Sequence, residues 1–119
     1  MREQVRDESR LEYILEAIEN VFEFTQGMTF DDYIFDKKGR FAVVKNLEII
    51  GEAVYKLSNE LKEKYSEIKW EQIIKMRHIL VHGYYQIEDC IAWEVVQKDL
   101  EPLKKQIQTI YEEVFTHTT

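Results

Sequence analysis

The chain is short of everything that a disulfide-built, membrane-spanning or turn-rich protein needs. It has one cysteine, Cys90, so no disulfide can form within it, which suits a reducing compartment and an expected cytoplasmic location. One proline and four glycines in 119 residues are too few for the tight turns of a small β-protein, so helices are expected instead. No apolar run reaches the roughly 20 residues of a membrane span, and the charged opening MREQVRDESR does not read as a signal peptide. Positive charge is also in deficit. Sixteen Lys and Arg stand against 23 Asp and Glu, a formal charge of −7. Proteins that coat nucleic acid are normally basic, so DNA is not an expected partner, and any contact with RNA has to rest on a local cationic spot.

What is present fits one globular domain over residues 1–119, with hydrophobics at 45% and charged residues at 33%. From about Asp7 to about Thr25, the residues Leu11, Ile14, Leu15, Ile18, Val21 and Phe22 keep the three–four spacing of one buried helical stripe. Arg10, Glu12, Glu16 and Glu19 are expected to face water, and Gln26-Gly27 to end the helix. Thr29 and Asp32 make a capping box for a short helix, Phe30 to Phe35. Asp36 to Arg40 reads as a bend. A long helix is then expected from about Phe41 to about Glu63, with Val43, Leu47, Ile50, Val54, Leu57 and Leu61 on its stripe. Phe41, Val44, Ile49 and Ala53 widen that stripe, which calls for two neighbours. Gly51 in mid-helix costs about 1 kcal/mol against alanine, and close approach by another helix is the reason to tolerate it. Asn46, Glu48 and Glu52 are the polar residues here, expected as surface or hydrogen-bonded helix positions, with one of them lining a pocket as the alternative. Lys62 to Lys69 reads as a polar connector, and Glu88-Asp89 as the N-terminal cap of a final helix. Pro102 inside that helix predicts a kink or break just before it. Trp93 reads as a core or interface anchor, and His117 in the tail carries no role. The sum is an all-α, up-and-down bundle of four to five helices.

The stretch Lys75 to Tyr85, KMRHILVHGYY, concentrates the chemistry. Ile73, Ile74, Met76, Ile79, Leu80 and Val81 cover almost the whole circumference of a helix, so burial from most sides is expected. Arg77, His78 and His82 would then be costly unless compensated. Gly83 reads as the helix stop. His82 falls in the last turn, where the negative end of the helix dipole favours an imidazolium able to give up a proton. His78 and His82 are four apart and share a face, as do Arg77 and Tyr84 at seven. Arg77 and His82 are five apart and diverge on a regular helix, so arginine's length or a partner helix has to bring them together. The two histidines also have the spacing of a zinc pair, without the glutamate of the metalloprotease helix between them. No metal and no cofactor is expected.

With RLEYILEAIE, KNLEIIGEAV, RHILVHGYY and AWEVVQKDLEPLKKQI in that order, the chain resembles the HepT-like toxins of the HEPN superfamily, from about Asp7 to about Tyr111. The signature of that family, an arginine, a histidine after four intervening residues and a tyrosine two further on, falls on Arg77, His82 and Tyr84. The prolines common in the family's connector are missing, with Ser66 and Lys69 there instead. The resemblance implies the HEPN bundle, a two-fold homodimer and a metal-independent endoribonuclease. It assigns His82 as acid/base and Arg77 as phosphate ligand, with Tyr84 touching phosphate or base and His78 in support. The residue types suit that chemistry. The neighbouring 2′-hydroxyl is the nucleophile, imidazole moves protons, and a guanidinium fork steadies the charged phosphorus centre. The resemblance further implies a type II toxin–antitoxin pair, in which a nucleotidyltransferase antitoxin of the MNT kind attaches AMP to Tyr84, with Tyr85 adjacent. The competing reading is an inactive helical binding or dimerisation module that partners a nucleotidyltransferase, its arginine merely ion-paired.

Overall fold

A computed structural model describes the backbone of residues 2–82 and 85–115 and the side chains of 6–82 and 89–115. Six helices follow in order: α1 (Arg2–Thr25), α2 (Phe30–Phe35), α3 (Lys37–Lys56), α4 (Asn59–Lys64), α5 (Trp70–His82) and α6 (Tyr85–Glu94). A π-helical turn, Val95–Asp99, joins α6 to α7 (Leu100–Phe115). No strand occurs among the described residues, so the all-α expectation holds. Four long columns, α1, α3, α5 and α6 continued into α7, form the bundle, and α2 and α4 are short links. None of these helices is long and apolar enough to cross a membrane.

Side-chain pairs give the directions. Asp7 of α1 meets Ser58, Arg10 donates to the Lys56 carbonyl, and Asn20 donates to Asn46. Numbers rise on one helix as they fall on the other, so α1 and α3 are antiparallel. The same holds for α1 and α7, where Lys104 pairs with Glu19 and the Tyr111 hydroxyl donates to Glu12 at 2.6 Å. That hydrogen bond, with burial and the nearby charges adding to it, pushes the Tyr111 phenol up to about 12. Just past α4, at its C-cap, Tyr65 donates to Glu113 of α7 at 2.8 Å. Burial, then that same bond, pushes it up to about 12 as well.

The stripes read from spacing are the core. Leu11, Ile14, Ile18 and Val21 of α1 face Val43, Leu47, Ile50 and Val54 of α3, all with no exposed surface. Burying each such side chain contributes about 1.5–3 kcal/mol. As the wide stripe of α3 requires, α1 and α5 lie on two sides of it. The Thr29 capping box forms, and Gly27 closes α1 with a φ of 75°. Trp93 is an anchor against Tyr33 and Phe30, with ring centroids 5.2 and 6.0 Å away.

Several boundaries move. α1 starts at Arg2, ahead of the expected Asp7. The expected bend over Asp36 to Arg40 shrinks to one residue, because the Asp36 carboxylate accepts from the Gly39 N–H and starts α3 at once. The long helix expected to reach Glu63 breaks after Lys56. Buried Asp7 takes the Ser58 N–H at 2.9 Å and its hydroxyl at 2.6 Å, while Ser58 caps α4. Leu57 and Leu61 stay buried across the break, which is why the stripe alone did not show it. The last column begins at Tyr85, ahead of Glu88-Asp89. Asp89 is no cap; it pairs with Arg40 of α3 at 3.0 Å. The break expected before Pro102 is the π turn, where the Leu100 N–H reaches back to the Val95 carbonyl. Pro102, which has no N–H to give, follows in the first turn of α7.

Candidate functional site

The site is built from α5 laid across the middle of α3. Trp70 fixes the start of α5, its indole N–H reaching the Tyr65 and Lys62 carbonyls at 3.1 and 3.2 Å. Seven residues on, the stem of Arg77 lies flat on Gly51. A Cβ at position 51 would stand 2.3 Å from the Arg77 Cβ, so only glycine admits the arginine there. This is the close approach that a mid-helix glycine called for. Past Gly51 the guanidinium pairs with Glu52 at 2.9 Å, and Glu52 also holds Lys56 at 3.2 Å. Glu52 and Glu48, expected as surface or hydrogen-bonded positions with a pocket as the alternative, both line a cleft. Asn46 is the hydrogen-bonded position expected; it is buried, accepting from Asn20 and donating to the Ala42 carbonyl.

Arg77 opens on a cleft of about 460 Å³ between α1 and α3, lined also by Arg10, Tyr13, Lys45, Glu52 and Lys56. A smaller, more apolar groove of about 270 Å³ at the π turn, lined by Ile50, Ile73, Met76 and Leu103 among others, holds none of the residues of the motif.

The two histidines sit on α5, one turn apart. Their rings are 4.7 Å between centroids at 54°, and both residues are exposed. The expectation of a helix buried from most sides is corrected here. Of α5 only Trp70 and Leu80 are buried, while Val81 is 43% exposed and Arg77 keeps about a third of its side-chain surface in contact with solvent. An apolar set spread around a helix does not say whether each face has its neighbour within the same chain. Arg77 and His82 diverge as their spacing requires, and no hydrogen bond joins them among the described residues. Nor do His78 and His82 gather a third His, Cys, Asp or Glu among the described residues into a metal-holding group. Tyr84, Gly83, His117 and the side chains of Tyr85 and Glu88 lie outside the described residues.

A profile described as Ribonuclease HepT-like matches residues 14–110. The chain belongs to the HepT-like family. A relative named as a probable ribonuclease HepT, from Thermococcus cleftensis, is 40% identical over 84% of this chain and 91% of its own length. A relative from Caldanaerobacter subterraneus named as a candidate RNase is 40% identical over 84% of this chain and 89% of its own. A third, from Methanocaldococcus jannaschii, joins a gamma-glutamylcyclotransferase to a candidate RNase in its name; it is 42% identical over 87% of this chain. The chain spans about half of that protein, 47% of its length. No solved structure gives a significant match.

The HepT-like match covers α5 entire, with Arg77, His78 and His82 inside it. The all-α bundle is accordingly a HEPN fold. Reading the sequence missed Arg10, Tyr13, Lys45 and Lys56 as parts of this HepT-like cleft. Arg10 was expected merely to face water. It is half-buried and hydrogen-bonded to the end of α3. A signal did exist for part of the set. Lys45, Glu48, Glu52 and Lys56 recur at helical spacing on the side of α3 away from its apolar stripe.

Proposed function

We propose that this chain is a metal-independent endoribonuclease whose working unit is a homodimer and whose site is a cleft shared by the two protomers. One observation carries the reading: Arg77 stands on a glycine-made seat at the wall of an open cationic cleft, on the same helix as the exposed His82. The names of the relatives support it. Arg77 would hold the non-bridging oxygens of a phosphodiester, giving up Glu52 for the incoming anion. His82 would take the proton of the 2′-hydroxyl or return one to the departing 5′ oxygen, leaving a 2′,3′-cyclic phosphate and a free 5′-hydroxyl. A two-fold axis supplies a second arginine and histidine, answering the divergence of the pair within one chain. Exposed Ile49 and Val81 give such an axis apolar surface to cover. His78, one turn before His82 with its ring tilted against it at 4.7 Å, would hold that ring in place.

His82→Ala and Arg77→Ala are each expected to cut the rate of RNA cleavage by about 10²-fold or more, with the helical circular dichroism unchanged. Full cleavage in both would end the assignment of these two residues, whereas no cleavage by the wild-type protein would leave the inactive module, for which the Arg77–Glu52 ion pair is itself the favouring observation.

The same reading places the chain in a toxin–antitoxin pair, with a nucleotidyltransferase as antitoxin and Tyr84 as the AMP acceptor. An added phosphate seven residues from Arg77 would bring negative charge to the site and repel the RNA backbone. Incubation with that partner and ATP is expected to add one or more AMP masses to the peptide carrying Tyr84 and Tyr85, with loss of cleavage. Fragmentation distinguishes the two tyrosines. An unmodified peptide, or AMP on another segment, would reject this part.

A further inference from the structure

The ribonuclease reading uses one guanidinium per chain, yet three further cations stand beside it. Arg10 of α1 and Lys45 and Lys56 of α3 line the same cleft as Arg77. Against these four, the cleft has only the carboxylates of Glu48 and Glu52, a local balance of four minus two, or +2. The whole chain stands at −7, so this cleft is the local cationic spot that contact with an anionic polymer requires. The cations differ in how they are held. The Arg10 guanidinium is tied to the Lys56 carbonyl, and Lys56 to Glu52. Lys45 is exposed and has no ion pair among the described residues. On α3, Lys45 and Lys56 lie eleven residues apart, about 16 Å along the axis. A single phosphate group cannot bridge that length, whereas an extended strand can run along it. Tyr13, a residue 58% exposed, lines the same cleft. A ring left in the open beside a row of cations is the arrangement on which unpaired bases stack.

We infer that Arg10, Lys45 and Lys56 form a strand-holding subsite that takes phosphates next to the scissile one in single-stranded RNA, with Tyr13 as a base platform. This rests on the ribonuclease reading. Arg77 then meets the bond to be cut, while the neighbouring cations set which stretch of strand is presented to it. Substrates too short to reach them lose this contribution.

Fluorescence anisotropy with a labelled single-stranded RNA of about ten nucleotides tests it, using His82→Ala protein so that the strand is held and not cut. Adding Arg10→Ala and Lys45→Ala together is expected to weaken binding about tenfold or more. The slope of log affinity against log salt should fall by about 1.4, two phosphates at about 0.7 each. Tyr13→Ala is expected to weaken binding about fivefold or more at unchanged salt slope. Lys45→Ala alone, at an exposed position without an ion pair, repeats half the slope change should the double variant fold poorly. Lys38→Ala with Lys105→Ala, two exposed cations outside the cleft, is the control and should leave affinity within about twofold. Equal losses in cleft and control variants would overturn the inference, since charge anywhere would then serve. So would unchanged binding in the cleft variants, while cleavage by the wild-type protein keeps the ribonuclease reading standing. No RNA binding by the parent together with no cleavage by the wild type would remove both.

Discussion

Gly51 determines where Arg77 can stand. Alanine there would improve the helix by about 1 kcal/mol on propensity alone. The contact overrides that gain, because the new Cβ would meet the Arg77 Cβ at 2.3 Å, near the backbone and not at the tip of a flexible chain. Overpacking of this kind costs about 1–3 kcal/mol. Gly51→Ala is therefore expected to lower the urea midpoint and also to slow RNA cleavage by about tenfold or more, since a misplaced catalytic group loses orientation. Wild-type cleavage by a destabilised Gly51→Ala protein would show that the seat of Arg77 does not matter to the reaction. At this scale the sequence was half legible. A glycine inside a regular helix announced a close neighbour; that the neighbour is the arginine of the motif came only with the packing of α5 on α3.

Among the elements, the break between α3 and α4 decides the shape of the cleft. It sets the last carbonyls of α3 free, and Arg10 takes the one on Lys56. The break is held by Ser58, whose hydroxyl caps α4 while Asp7 accepts from both its N–H and its hydroxyl. Ser58→Ala loses the cap and is expected to cost about 1–2 kcal/mol in urea unfolding. Asp7→Ala is expected to cost at least as much, because it strands two donors at a part-buried position. Costs below about 0.3 kcal/mol for both would mean that the break stands without this cap. The stripe of α3 continues through Leu57 into Leu61, so periodicity reads one helix where there are two. The signal that a break was there lay in Ser58 itself, a capping residue within an apolar stripe, and its partner is 51 residues away. The turn before Pro102 was legible because proline excludes a regular helix from local geometry alone.

For the whole molecule, the open question is the partner of the exposed face of α5. Val81 at 43% and Ile49 at 37% exposure lie on the helices that carry the exposed His82 and the half-buried Glu52. If two protomers pool their groups, Arg77→Ala and His82→Ala proteins should complement each other. In each mixed dimer the shared cleft then keeps one intact arginine and one intact histidine, drawn from different chains. Mixed, unfolded and refolded together, the two inactive variants are expected to regain cleavage well above that of either alone, through the half of the dimers that are mixed. Size-exclusion chromatography confirms the dimer, and no recovery from well-formed mixed dimers would reject sharing across the axis.

The linear order of residues by itself determined the helices, their buried stripes and the cluster of Arg77, His78 and His82 on one segment, because each depends on spacing within a turn or two. Only the tertiary structure decided that Arg10 and Tyr13 from α1, Lys45 and Lys56 from α3 and Arg77 from α5 line one cleft. That outcome turns on the register in which α1 and α5 slide along α3. The register is set by side-chain packing and by the space left at Gly51, and residues tens of positions apart carry no periodic trace of it.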